Sequence, residues 1–175
     1  MAKISNTSVY ANIDPVLTDY FVLTDKDNNL ATKSCTLESV QTLFGLDNTN
    51  ITVAISSTYL WVLGTQDFTL LAAPGSGYVL DIQKIMAFMD PGNIAYDFNV
   101  AAGSIDMGSV DCGTVSQATL NSATDYVASV FNGTGATQVP ENTPVILSAT
   151  ANPTQGTGTL YINITYRTLK LDSTF

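Results

Sequence analysis

The sequence predicts a mainly β chain, with an N-terminal arm and a hairpin-helix module followed by an antiparallel β-sandwich of jelly-roll type. Two observations point to it. From about residue 58 onward, six to eight short segments rich in β-branched and aromatic residues are spaced by Gly, Pro and Asn turns, which is not the pattern of a parallel α/β sheet. Near the end, Leu160, Ile162, Ile164 and Tyr166 alternate with Tyr161, Asn163, Thr165 and Arg167, the period of a half-buried strand.

Taken in order, residues 1–13 read as an extended arm, polar and aperiodic, with Ile4, Val9, Tyr10 and Ile13 as apolar anchors. Such an arm is either disordered or laid against a partner. Residues 14–46 read as a hairpin plus a short helix, an attachment or oligomerisation module. Asp19–Thr24 is the first strand, Asp25–Asn29 the turn, and Leu30–Ser34 the return, since Asp and Asn tolerate the left-handed conformation turns need. Thr36 is placed to cap a helix whose apolar stripe is Leu37, Val40, Leu43 and Phe44, with Gly45 as its stop. This unit is too small to bury a core alone.

Residues 47–57 are Asn- and Thr-rich and read as a linker, although Ile51, Val53 and Ile55 alternate as a strand would. The sandwich is expected over 58–175. Its strands are Tyr59–Gly64, Asp67–Ala72, Tyr78–Met89 and Asn93–Val100. The third places Tyr78, Leu80, Ile82, Met86 and Phe88 on one face, and its length predicts a bend near Lys84. Residues 101–113 give no clear reading. Ser116–Phe131 reads as a short helix or turn and then a strand. Pro140–Leu171 reads as a closing hairpin, with Pro144–Ala151 and Thr159–Thr168 as strands around an Asn152–Gly158 turn. The apolar phase flips after Thr168, to Leu169 and Leu171, so a bulge or a bend is expected near it.

Composition narrows the function. Charged residues are only 12% of the chain, about half the usual share, and the net charge is −9. That balance argues against nucleic-acid binding through phosphate neutralisation and against an anionic membrane. A surface of Thr, Ser, Asn and Gly suits contacts that become dry, because a hydroxyl is cheaper to bury than an ion; it also suits an ordinary β-rich extracellular domain. Met1–Asn6 shows no apolar signal segment, and no apolar run approaches ~18 residues.

The chain contains no histidine, which removes Ser-His-Asp and Cys-His arrangements and the commonest general base. Cys35 and Cys112 lack metal-ligand spacing. Asp25, Asp27 and Asn29 open like a calcium loop, but Leu30 and Thr36 stand where that loop needs Gly and Glu. Asp81, Asp90, Asp97, Asp106 and Asp111 offer carboxylates for glycoside hydrolysis, yet no spacing selects a pair. No catalytic, cofactor or metal residue is expected. Tyr59, Trp61, Tyr78, Tyr96 and Tyr161 are either core or a carbohydrate-stacking surface.

Three stretches carry a resemblance. Asp19-Tyr-Phe-Val-Leu-Thr-Asp25 through Thr36-Leu-Glu-Ser-Val40 is similar to a module near the N-termini of tailed-bacteriophage virion proteins. Leu70-Leu-Ala-Ala-Pro-Gly-Ser-Gly-Tyr78 resembles the opening, and Asn152-Pro-Thr-Gln-Gly-Thr-Gly-Thr-Leu-Tyr161 through Arg167 the end, of a small jelly-roll domain of phage fibre and decoration proteins. In flavour they resemble the crAss-like gut phages. The resemblance implies a non-enzymatic virion protein, without cofactor, that assembles with itself as a trimer or a higher array and with other head or tail proteins. The alternative is a tail-associated adhesin that recognises host surface glycan.

Overall fold

The structure, a computed structural model, describes residues 20–25, 31–37, 40, 48–99, 101–132 and 139–171. The chain divides into two compact units, Met1–Asp47 and Asn48–Phe175. In the first, β1 (Tyr20–Asp25) and β2 (Ala31–Thr36) pair antiparallel from Tyr20 with Thr36 to Asp25 with Ala31, and they form a two-stranded sheet of their own. This matches the expected hairpin.

The second unit is a β-sandwich of two antiparallel four-stranded sheets. Its elements are β3 (Thr49–Ile55), α1 (Ser57–Leu60), β4 (Phe68–Leu71), β5 (Tyr78–Asp90), β6 (Gly103–Met107), β7 (Val110–Val115), α2 (Gln117–Leu120), β8 (Tyr126–Ser129), β9 (Val145–Ala149) and β10 (Thr159–Lys170). One sheet runs β3-β10-β5-β8, the other β4-β9-β6-β7. Counted from β3, the first holds strands one, eight, three and six, and the second holds two, seven, four and five. Ile55, Ile85, Ala87, Leu160, Ile162 and Ile164 of one sheet join Ile105, Met107, Val115, Val145 and Leu147 of the other in a single buried cluster.

The centre of the first sheet is the pairing of β5 with β10, from Thr159 opposite Asp90 to Lys170 opposite Tyr78. Alternation in β10 is as the sequence predicts, with Leu160, Ile162 and Ile164 buried. Its partner is irregular. Thr165 faces Lys84 and Tyr166 faces Ile82, so Gln83 is an extra residue in β5. A bulge of one residue reverses which side chains face the core. Leu80 and Ile82 point inward before it, and Ile85, Ala87 and Met89 after it. The bend expected near Lys84 is therefore present. Met86 and Phe88, expected on the face of Leu80, instead lie on the outer face opposite Asn163 and Tyr161.

Other expectations are corrected. No register shift marks Thr168; Leu169 and Leu171 are exposed, so the flip in phase is apolar surface and not a second bulge. Residues 47–57 are not a linker, because 49–55 form β3 against β10, where Ile51, Val53 and Ile55 face the core side with Ile164, Ile162 and Leu160. That alternation outweighs the Asn and Thr content. Tyr59–Gly64 is not a strand. Ser56 carbonyl oxygen accepts from Tyr59 and Leu60, which starts a helical turn that buries Leu60 and Leu63 and leaves Trp61 and Val62 outside.

Pro140–Leu171 is not a hairpin either: β9 pairs with β4 and β6, while β10 pairs with β3 and β5. The connection between them crosses from sheet to sheet. It is tied to residues 93–97, expected as a strand but without strand pairing, by Thr154 N–H to the Asp97 carbonyl at 2.9 Å and Thr157 N–H to the Ile94 carbonyl at 3.0 Å. Tyr96 Oη adds a buried bond to the Gly158 carbonyl at 2.9 Å. Gly156 sits against the Tyr96 ring, where any Cβ would collide, so this crossing requires glycine. Residues 103–115 are a hairpin of β6 and β7, with Gly108 at φ 63° in its turn. Ser116 Oγ caps α2 by accepting from Thr119 N–H, and β8 follows, as expected.

The bulge makes a discriminating test. Removal of Gln83 leaves both halves of β5 correctly faced, whereas removal of Met86 turns Ala87 and Met89 outward. Deleting Gln83 is expected to shift the thermal midpoint by less than about 5 °C, and deleting Met86 to lower it by more than about 10 °C. Circular dichroism melts measure both; equal losses would contradict the register.

Candidate functional site

The outer face of the first sheet carries a depression of about 400 Å³. Its lining comes from four neighbouring strands: Thr52 of β3, Tyr161 and Asn163 of β10, Met86, Ala87, Phe88 and Asp90 of β5, and Val127 of β8. Registers arrange these in rows across the sheet. One row runs Ala54, Tyr161, Phe88, Val127; the next runs Thr52, Asn163, Met86, Ser129. The Phe88 and Tyr161 rings are 5.7 Å apart at 33°, a tilted pair. Val127 is 59% exposed, although its neighbours across the row are aromatic.

The polar side is a ladder of uncharged groups. Asn163 Nδ2 donates to Asn50 Oδ1 at 2.8 Å and to Thr52 Oγ1 at 2.9 Å. Asn50 Nδ2 donates to Thr165 Oγ1 at 3.0 Å. The network fixes the amides in place, and Thr52 keeps its own O–H to donate. Asp90 Oδ1 accepts from Gly92 N–H at 3.0 Å. Among the described residues, the Tyr161 hydroxyl has no hydrogen-bond partner.

Of the aromatics singled out in the sequence, only Tyr161 lines this depression. Tyr96 is buried. Trp61 donates from Nε1 to the Gly156 carbonyl at 3.1 Å, and Tyr59 packs edge-on against Phe68 at 5.0 Å. Tyr78 is exposed at the far end of β5. Sequence reasoning missed Phe88, Met86 and Val127. The usable signal was the bend near Lys84, which implies a change of face beyond it.

The carboxylates serve local structure. Asp81 accepts from Arg167 Nε across β5 and β10. Asp97 Oδ1 accepts from Asn99 N–H, Asp106 Oδ2 from Ser104 Oγ, and Asp111 Oδ1 from Gly113 N–H. Asp106 and Asp111 do face each other across β6 and β7. Among the described residues no three His, Cys, Asp or Glu side chains gather to hold a metal. Both cysteines are free thiols, Cys35 half-buried and Cys112 buried. Burial pushes the Cys112 thiol up to about 11, with the Asp106 and Asp111 charges adding to it. Burial likewise raises the Tyr96 phenol to about 12, opposed by a hydrogen bond with Ser57.

Of the expected attachment residues, Leu37 and Val40 are helical and half-buried. Ile4, Val9, Tyr10, Ile13, Leu43 and Phe44 lie outside the described residues, as do Asp27 and Asn29.

No family model matches the chain, and no curated protein does. A solved structure titled "Cyanophage Pam1 capsid asymmetric unit" is similar at a TM-score of 0.45 and 19% sequence identity, covering 69% of this chain and 82% of that one.

The two raised acids fix an alkaline limit. Each is held neutral in the fold, so its contribution is fully present below its ordinary pKa and is lost as pH rises through the folded one. For Cys112 that window runs from 9.0 to about 11, and for Tyr96 from 10.0 to about 12. The unfolding free energy from urea melts is expected to fall across pH 9–11, by at most about 2–3 kcal/mol from the thiol. Cys112→Ala is expected to flatten that part of the curve; an unchanged slope would contradict the assignment.

Proposed function

We propose that the chain is a non-enzymatic structural component of a phage virion, a homotrimer that decorates the capsid or forms a head fibre, attached through its N-terminal region. One observation carries this reading most directly: β1 and β2 form a two-stranded sheet of their own. A two-stranded hairpin is marginal in water by itself and is stabilised by packing on another surface. The helical Leu37 and Val40 beside it, and the arm anchors Ile4, Val9, Tyr10 and Ile13, extend the same demand.

The resemblance supports the rest. Its first stretch falls on β1 and β2, its second on the loop from β4 to β5, and its third on the crossing from β9 to β10. The strand orders of the two sheets support jelly-roll wiring, in which two four-stranded sheets share chain order in this interleaved way. A sandwich with few charges resists neither self-association nor burial against other virion proteins.

A second reading, a tail-associated adhesin for host surface glycan, is favoured by the aromatic depression on the first sheet. Both readings place the N-terminal unit in attachment.

The trimer is tested by mass. Sedimentation of the full chain at micromolar concentration is expected to give three times the mass of one chain, and removal of residues 1–47 to give a folded monomer. A stable interface buries upwards of about 1,200 Å², which an arm, a hairpin and a helix together can supply. A monomer in both cases would refute attachment by self-assembly.

A further inference from the structure

We infer that the depression on the outer face of the first sheet binds an uncharged oligosaccharide, taking one or two pyranose units against the Phe88–Tyr161 pair. This deepens the adhesin reading and rests on it; the trimer can fail or stand without it.

The size fits a small ligand. About 400 Å³ falls within the ~300–1,000 Å³ of ordinary ligand clefts, mostly apolar with a few placed polar groups. A protein partner needs far more contact than these lining residues offer. A pyranose has an apolar face bordered by hydroxyls, and the rows offer the same division. Phe88, Tyr161 and Val127 present a ring-and-methyl floor, while Thr52 and Asn163 of the hydrogen-bonded ladder stand beside it. The ladder is already ordered, so binding need not freeze it. The Tyr161 hydroxyl is left to bond sugar. Charge sets the class further: among the described residues Asp90 is the one carboxylate in the lining and no Lys or Arg lines it, and the net charge is −9. Sialylated, uronic or phosphorylated glycans are repelled, and neutral ones are not.

The test is saturation-transfer NMR and titration calorimetry on the full chain. The probes are cellohexaose, laminarihexaose, maltohexaose and N-acetylchitohexaose, with a heparin hexasaccharide as the anionic comparison. At least one neutral probe is expected to bind with a dissociation constant below about 10 mM, and heparin not at all. Tyr161→Ala and Phe88→Ala are expected to weaken it by at least about tenfold, while Tyr161→Phe keeps the ring and most of the affinity. Val127→Glu, on the exposed edge strand, alters the lining without opening the core and is expected to weaken binding too. Tyr59→Ala, outside the depression, is expected to leave it unchanged. No saturation by any neutral probe, stronger binding of heparin, or equal binding by the Val127→Glu chain would overturn the inference. So would a fall in the mass of the oligomer on Val127→Glu, which would assign this face to a second copy; loss of the trimer on truncation, with sugar binding intact, leaves it standing.

Discussion

The pairing of β10 between β3 and β5 is the constraint on which the sandwich depends. β10 is the last of the described strands, and it closes a sheet whose other strands come from positions more than a hundred residues earlier and from the middle of the domain. Its inward side chains, Leu160, Ile162 and Ile164, are fully buried. Each such side chain contributes roughly 1.5–3 kcal/mol on leaving water. Its outward side chains set the rows of the opposite face. One strand therefore specifies both the core and the candidate binding surface. The extra residue in β5 reconciles an uninterrupted apolar stretch with this two-sided demand, since it lets Ile82 and Ile85 both face inward while Met86 and Phe88 turn out.

Strand β10 was legible because it alternates without interruption. So was the pairing of β1 with β2, where an Asp- and Asn-rich stretch of sequence separates two extended segments. The face assignment in β5 was not, because the bulge depends on which residue of β10 it faces and that partner lies some eighty residues away. The same limit explains the reading of 140–171 as a hairpin. Two strands joined by a turn rich in Asn, Pro and Gly are locally indistinguishable from two strands that pass to different sheets, and the difference lies in distant partners such as Asp97, Ile94 and Tyr96. The helical turn at 57–60 overrode aromatic and β-branched content that reads as strand, because its fold buries Leu60 and Leu63 together.

The surface follows one chemical theme. Hydroxyls and amides hold each other across β3 and β10, and the charged residues are few. Such a surface can be buried against another protein or against sugar with little desolvation penalty. On the virion proposal the N-terminal unit is the attaching part, and on the carbohydrate inference the neutral, aromatic face of the first sheet is the presenting part. This division is what the virion proposal and the carbohydrate inference have in common.

The β5 register and the carbohydrate inference both rest on Met86 and Phe88 standing outside the sheet with Ala87 inside it. Single-cysteine scanning tests that directly. In a Cys35→Ser, Cys112→Ala background, cysteines at 86, 87 and 88 are introduced one at a time and labelled with a thiol reagent in native buffer. The account predicts fast labelling at 86 and 88 and protection at 87 until the protein unfolds. Protection at 86 and 88 with fast labelling at 87 would contradict it, since the bulge would then lie elsewhere and the depression would not exist.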